Sequence, residues 1–199
     1  MTGLRLFVRS RRLLATAGAL LAVNAAGVTI GAAELRVNEH SDVGLPWLLF
    51  LPLASACLIG LSLRSPLHDF DLTAARSLPL WRLGQIAALA TGSALAITAL
   101  ASQLQGAFGP LAAIRNLIGL LGLALLGARL IGGRLAWLLP CLWLLAATTM
   151  GDPRSTLPPW DWPVRHDNDF PAIAVALLLA VAGLAAATTG TKEPRGDVD

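Results

Sequence analysis

Six blocks of mostly apolar residues, each long enough to cross a lipid bilayer as a helix, leave this 199-residue chain little else to fold into. A hydrocarbon core about 30 Å thick takes about 20 apolar residues in helical form. The blocks run Leu13–Gly31, Leu45–Leu63, Leu83–Leu104, Ile114–Ile131, Leu135–Met150 and Ala172–Thr189. Only 14% of the residues are charged, against roughly 25% in soluble domains. Mean hydropathy is +0.66. The pattern predicts an all-α fold: an integral membrane bundle of six transmembrane helices forming one domain. Residues 1–12 lead in, 13–189 form the bundle and 190–199 are a polar tail.

Orientation follows from Arg and Lys, which favour the cytoplasmic side. Eleven of the 15 fall in the N-terminal lead-in, around the connectors after the second and fourth blocks, and in the tail. The other four, Arg36, Arg115, Arg154 and Arg165, fall on the opposite side. Both termini are therefore expected in the cytoplasm, and a multi-pass protein of a bacterial cell membrane is expected. The composition, rich in Ala, Leu, Gly and Arg, suits a high-GC bacterium. The net charge of +3 does not point to nucleic acid, because the basic residues mark the ends of apolar blocks. The expected surroundings are the lipid bilayer.

Several catalytic signatures are missing. The sequence has no G-x-x-x-x-G-K-[ST] phosphate cradle, no H-E-x-x-H, no Cys-x-x-Cys and no G-x-S-x-G. No carboxylate lies mid-block. The chain is expected to be no enzyme and to bind no cofactor or metal itself. Cys57 and Cys141 each read as small apolar side chains within a block. His166, Asp167 and Asp169 sit in a turn-rich loop of the kind that gathers such residues without metal.

Three intramembrane polar residues stand out: Asn24, Arg115 and Asn116. Asn24 is expected to hydrogen-bond across helices. Arg115 is expected at the outer surface, or turned inward toward Gln103 or Gln105. Small residues at a spacing of four, Ala88-Gly92-Ala96, Ala124-Ala128-Gly132 and Ala172-Ala176-Ala180, allow close helix approach.

Two polar segments are distinctive. On the cytoplasmic side, Leu67, Phe70, Ala74, Leu78 and Trp81 form one helical stripe. Asp69 and Asp71 lie at its start and Arg76 and Arg82 near its end, as the helix dipole favours. This predicts a short amphipathic helix between the second and third spans, lying on the membrane or docking a partner. On the outer side, Gly151–Pro171 carries several prolines, with Trp160 and Trp162 flanking Asp161, and then Arg165. It predicts a rigid cap at the interface.

The segment HDFDLTAARSLPLWRL, the run IRNLIGLLGLALLGARLIGGRLAWLLP with Arg115 and Asn116, and the Trp/Pro-rich outer loop together resemble the small permease subunits of actinobacterial ABC (ATP-binding cassette) transporters. The likeness spans about Leu13 to Thr189. It implies a six-helix exporter subunit moving an amphipathic or peptide-like substrate, with ATP bound by a separate partner chain. It also implies a homodimer or a second permease chain. By position, the ATPase-docking helix would be His68–Leu78, with His68, Asp69, Phe70, Asp71, Ala74, Arg76 and Leu78. The outer cap would be Pro158–Phe170, with Trp160, Asp161, Trp162 and Arg165. The alternative from the residues alone is a structural or regulatory membrane protein that transports nothing and acts through its outer loop.

Overall fold

The computed structural model describes residues 13–30, 34–36, 44–46, 49–63, 78–102, 109–151 and 159–188. Among these are six α-helices: α1 (Leu13–Ile30), α2 (Phe50–Ser62), α3 (Leu78–Ala101), α4 (Pro110–Leu130), α5 (Leu138–Met150) and α6 (Phe170–Thr188). A 3-10 helix, Pro159–Val164, precedes α6. Between α1 and α2 lies an antiparallel hairpin, β1 (Glu34–Arg36) with β2 (Gly44–Pro46), pairing Leu35 with Leu45. The sequence reading did not foresee it.

All six apolar blocks hold helices; the first starts at Leu13 as expected, and the other five start elsewhere. The second begins at Phe50 rather than Leu45, because Gly44–Pro46 is spent on β2. The third begins at Leu78 rather than Leu83, the fourth at Pro110 rather than Ile114, the fifth at Leu138 rather than Leu135 and the sixth at Phe170 rather than Ala172. One physical signal accounts for these starts. Pro52, Pro79, Pro110, Pro140 and Pro171 each lie within the first three residues of a helix. The first-turn N–H groups have no partner within the helix, so proline costs nothing there and its fixed φ suits the start.

Helix α4 is the hub, packing on α2, α3, α5 and α6. Its most extensive contact is with α6, and glycine makes that possible. A Cβ at Gly183 would lie 2.5 Å from Gly122 O and 2.7 Å from Gly122 Cα. One at Gly122 would lie 2.7 Å from Ala180 N. The α4 ridge also meets α2, with Ala124 Cβ close to Gly60. In α6, Ala172 and Ala176 are buried. The α3 ridge behaves otherwise: Ala88 and Gly92 are exposed, and a Cβ at Gly92 would meet nothing within 4 Å.

Three helices, Leu80–Ala101, Pro110–Leu130 and Phe170–Thr188, are long and apolar enough to cross a membrane. Three shorter apolar stretches, Leu14–Gly27, Phe50–Ser62 and Leu138–Met150, accompany them. A 13-residue helix is about 20 Å long, so α2 and α5 fall short of a full bilayer core by themselves. The exterior is apolar: Leu21, Leu95, Leu145, Leu178 and Val181 stand out from it. The interior holds Arg115, Asn116, Gln85, Asp161 and Arg165. Polar groups inside and leucines outside suit lipid as the surrounding solvent.

Candidate functional site

The site with the most chemistry is the cap, which docks on α4, α5 and α6. Its 3-10 helix places Trp160, Asp161 and Trp162 in succession, and the chain then runs through Arg165 to the start of α6. Trp162 is fully buried. The far edge of its ring packs directly on α4 because position 119 is glycine. A Cβ there would stand 2.9 Å from Trp162 Cζ2 and Cζ3 and closer still to Cη2. Trp162 Nε1 has no hydrogen-bond partner among the described residues. Trp162 is thus a core side chain within the cap.

Backbone carbonyls of the cap are held by side chains of the bundle. Arg115 on α4 donates from Nη2 to Arg165 O (2.9 Å) and from Nη1 to His166 O (2.8 Å). Its Nε reaches Asn116 Oδ1 at 3.3 Å. Asn116 Nδ2 donates to Pro163 O at 2.7 Å. From α5, Trp143 Nε1 donates to Trp160 O at 2.9 Å. Four cap carbonyls are thus given donors, those of Pro163 and Arg165 at buried positions. Arg115 is turned inward as one expectation had it, but its partners are cap carbonyls. Gln103 and Gln105 lie outside the described residues.

The cap's charges are consumed internally. Arg165 Nε pairs with Asp161 Oδ1 at 2.6 Å, and Arg165 Nη1 with Asp169 Oδ2 at 3.2 Å. Burial alone would lower the Arg165 guanidinium, but its hydrogen bonds and attraction to Asp161 and Asp169 hold it above its ordinary value. A raised cation contributes stability everywhere below its unfolded pKa and loses it only as pH climbs through the folded one. Asp169 also caps α6, accepting Ala172 N at 3.1 Å on Oδ1. Asp167 does the same for α4 from outside that helix, accepting Ala112 N. Both carboxylates therefore face the positive end of a helix dipole. Asp167 and Asp169, two members of the His166-Asp167-Asp169 trio, are used up as helix caps.

The remaining candidates are placed as follows. Asn24 does not bond across helices: its Nδ2 returns to Leu20 O, one turn back, at 2.7 Å. Leu78 is the first residue of α3. His68, Asp69, Phe70, Asp71, Ala74 and Arg76 lie outside the described residues. The two cysteines, read as unrelated apolar side chains, meet instead: Cys57 on α2 and Cys141 on α5 bring their sulfurs within 4.0 Å. Spacing gave no sign of this, because 84 residues separate them. The carbonyl anchoring of the cap was equally invisible, since a carbonyl is common to every residue.

Comparison with protein-family models, with curated proteins and with solved structures finds no match to this chain.

Proposed function

We propose that this chain is the membrane-spanning subunit of an ABC-type exporter in a bacterial cell membrane, crossing six times with both ends cytoplasmic. It works with a separate ATP-binding subunit and moves an amphipathic or peptide-like substrate. The observation that carries the reading is where the charge goes. The outer cap uses Arg115, Arg165, Asp161, Asp167 and Asp169 on its own fastening. The amphipathic, charge-bearing pattern between α2 and α3 sits on the other side in the sequence, with Asp69, Asp71 and Arg76. A chain with no phosphate cradle that keeps such a pattern on the cytoplasmic side suits a partner that supplies ATP hydrolysis.

Affinity purification from native membranes tests this. A nucleotide-binding protein should co-purify, and charge reversal at Asp69, Asp71 and Arg76 should release it and stop export. Absence of such a partner, with export intact in the variants, overturns the reading.

One observation favours a second reading. Helix α4 fills the middle of the single copy, as a structural or regulatory membrane protein would allow. In that case the exposed cap residues His166 and Asn168 carry recognition. Replacing both with Ala should then abolish partner binding, with no change in transport of any substrate.

A further inference from the structure

The faces by which α1, α2 and α3 meet carry buried polar atoms that nothing among the described residues satisfies. Ser55 on α2 and Ser93 on α3 are 0% and 2% exposed, and neither Oγ has a hydrogen-bond partner among the described residues. Asn24 Oδ1 and Gln85 Oε1 share that condition. Other helical hydroxyls behave differently. Ser62, Ser102, Thr148 and Thr188 each donate to the carbonyl three residues back. Buried polar groups are satisfied as a rule, so each exception calls for a reason.

Helix register brings three of these atoms to one level. At one end of the seam, Gln85 Nε2 donates to Ser62 Oγ at 2.9 Å and to Ser62 O at 3.2 Å. At the other end, Leu51 packs in one cluster with Ile97, Leu100 and Leu117. Ser55 lies seven residues from Ser62 along α2, and Ser93 eight from Gln85 along α3, so each is about 10–12 Å from that hydrogen bond. On α1, a Cβ at Gly27 would touch Leu51 and Leu100. Asn24 is three residues below Gly27, and Ser55 four below Leu51, so both lie about 5–6 Å further in. Asn24, Ser55 and Ser93 therefore share a level inside the bundle, with the Gln85–Ser62 bond as a clasp toward the cytoplasmic end.

We propose that Asn24, Ser55 and Ser93 form a binding site for an uncharged hydrogen-bonding group, such as the amide of an amphipathic solute, reached when α2 and α3 part. The side chains offer hydroxyls and an amide and no ionised group, so an ion would gain no counter-charge there. Closed, the seam leaves these atoms unsatisfied, which lowers the cost of opening it. Helices α2 and α3 are also the two that flank segment 64–77, where the permease reading places its partner. The role in transport rests on that reading; the site itself does not.

The test uses cysteine accessibility in native membranes, in the full chain with Cys57 and Cys141 replaced by Ala. Ser55→Cys and Ser93→Cys are compared with Ala56→Cys and Ala124→Cys, two fully buried positions on the α2–α4 face. Variants are first matched for monodispersity on a sizing column. Methyl methanethiosulfonate, which needs a thiolate and therefore a wet thiol, should modify positions 55 and 93 about tenfold or more faster than the controls. Gln85→Ala, which removes the clasp, should speed both further. N-octylacetamide should slow the reaction, whereas octanoate should not. Equal rates at all four positions overturn the site, and equal protection by amide and carboxylate overturns its preference for uncharged groups. The outcomes stay separable from the permease reading. Fast labelling without a co-purifying ATPase keeps the site and removes only its power source. Slow labelling with the ATPase present removes the site alone.

Discussion

Replacing Asp161 with Asn takes the charge from one half of a buried ion pair and leaves the other half in place. Arg165 Nε sits 2.6 Å from Asp161 Oδ1, and the two side chains are 1% and 2% exposed. Removing one partner of a buried pair costs about 3–5 kcal/mol, because the remaining charge is uncompensated. Asp169 stays 3.2 Å from Arg165 Nη1, so Asp161→Asn should fall near the lower end, about 3 kcal/mol. Asp169→Asn makes the contrast. That carboxylate is 22% exposed, and an amide still caps α6, so its loss should cost about 1 kcal/mol. Reversible unfolding in detergent micelles titrated with dodecyl sulfate, followed by tryptophan fluorescence, reads both values. The double variant Asp161→Leu/Arg165→Met should be more stable than Asp161→Leu alone, since it also removes the buried cation and leaves only the part-exposed Asp169, which still caps α6. Equal effects of Asp161→Asn and Asp169→Asn, or less than about 1 kcal/mol for the former, would refute the claim that the pair is desolvated.

Three further outcomes follow from the packing. Gly119→Ala should destabilise by about 1–3 kcal/mol through overpacking against Trp162, and Trp162→Phe should recover part of that loss; additive effects in the same unfolding assay would contradict the contact. Arg115→Lys should cost about 1.5–3 kcal/mol, because one ammonium cannot hold the carbonyls of both Arg165 and His166 in a planar fork; a stability equal to the parent would show that the fork is not needed. Copper-phenanthroline oxidation should link Cys57 to Cys141, read as a retained crosslink after proteolysis between α2 and α5, whereas single-cysteine variants should show none; failure to crosslink would contradict the α2–α5 packing.

The existence of six helices was legible because apolar blocks of spanning length have few alternatives. Apolar runs mark where helices exist but not where they begin; Pro52, Pro79, Pro110, Pro140 and Pro171 are the stronger signal for the starts. Which helix sits at the centre was not legible from apolarity, since α4 and α6 are both apolar while one is mostly buried and the other mostly exposed. The distinguishing mark lay in Gly119, Gly122 and Gly127, which let neighbours approach α4 on several faces. In the candidate site, Asp161, Trp162, Arg165, Arg115 and Asn116 were all singled out from sequence; the structure joins Asp161, Arg165, Arg115 and Asn116 in one polar network and packs Trp162 beside it against Gly119. Their separate readings as cap and intramembrane polar residues missed the link, because Arg115 and Asn116 bond mainly to backbone oxygens. Asn24 shows the converse: a polar residue at mid-span suggests a cross-helix bond, yet its amide donates to the Leu20 carbonyl one turn back in the same helix.

The central claim is that the chain crosses the membrane six times, including at the short helices α1, α2 and α5. Fusions of green fluorescent protein and of alkaline phosphatase at residues 42, 70, 105, 133, 156 and 199 test it most directly. The account predicts fluorescence at 70, 133 and 199 and phosphatase activity at 42, 105 and 156. Two neighbouring junctions reporting the same side would show that the helix between them does not cross, and would contradict it.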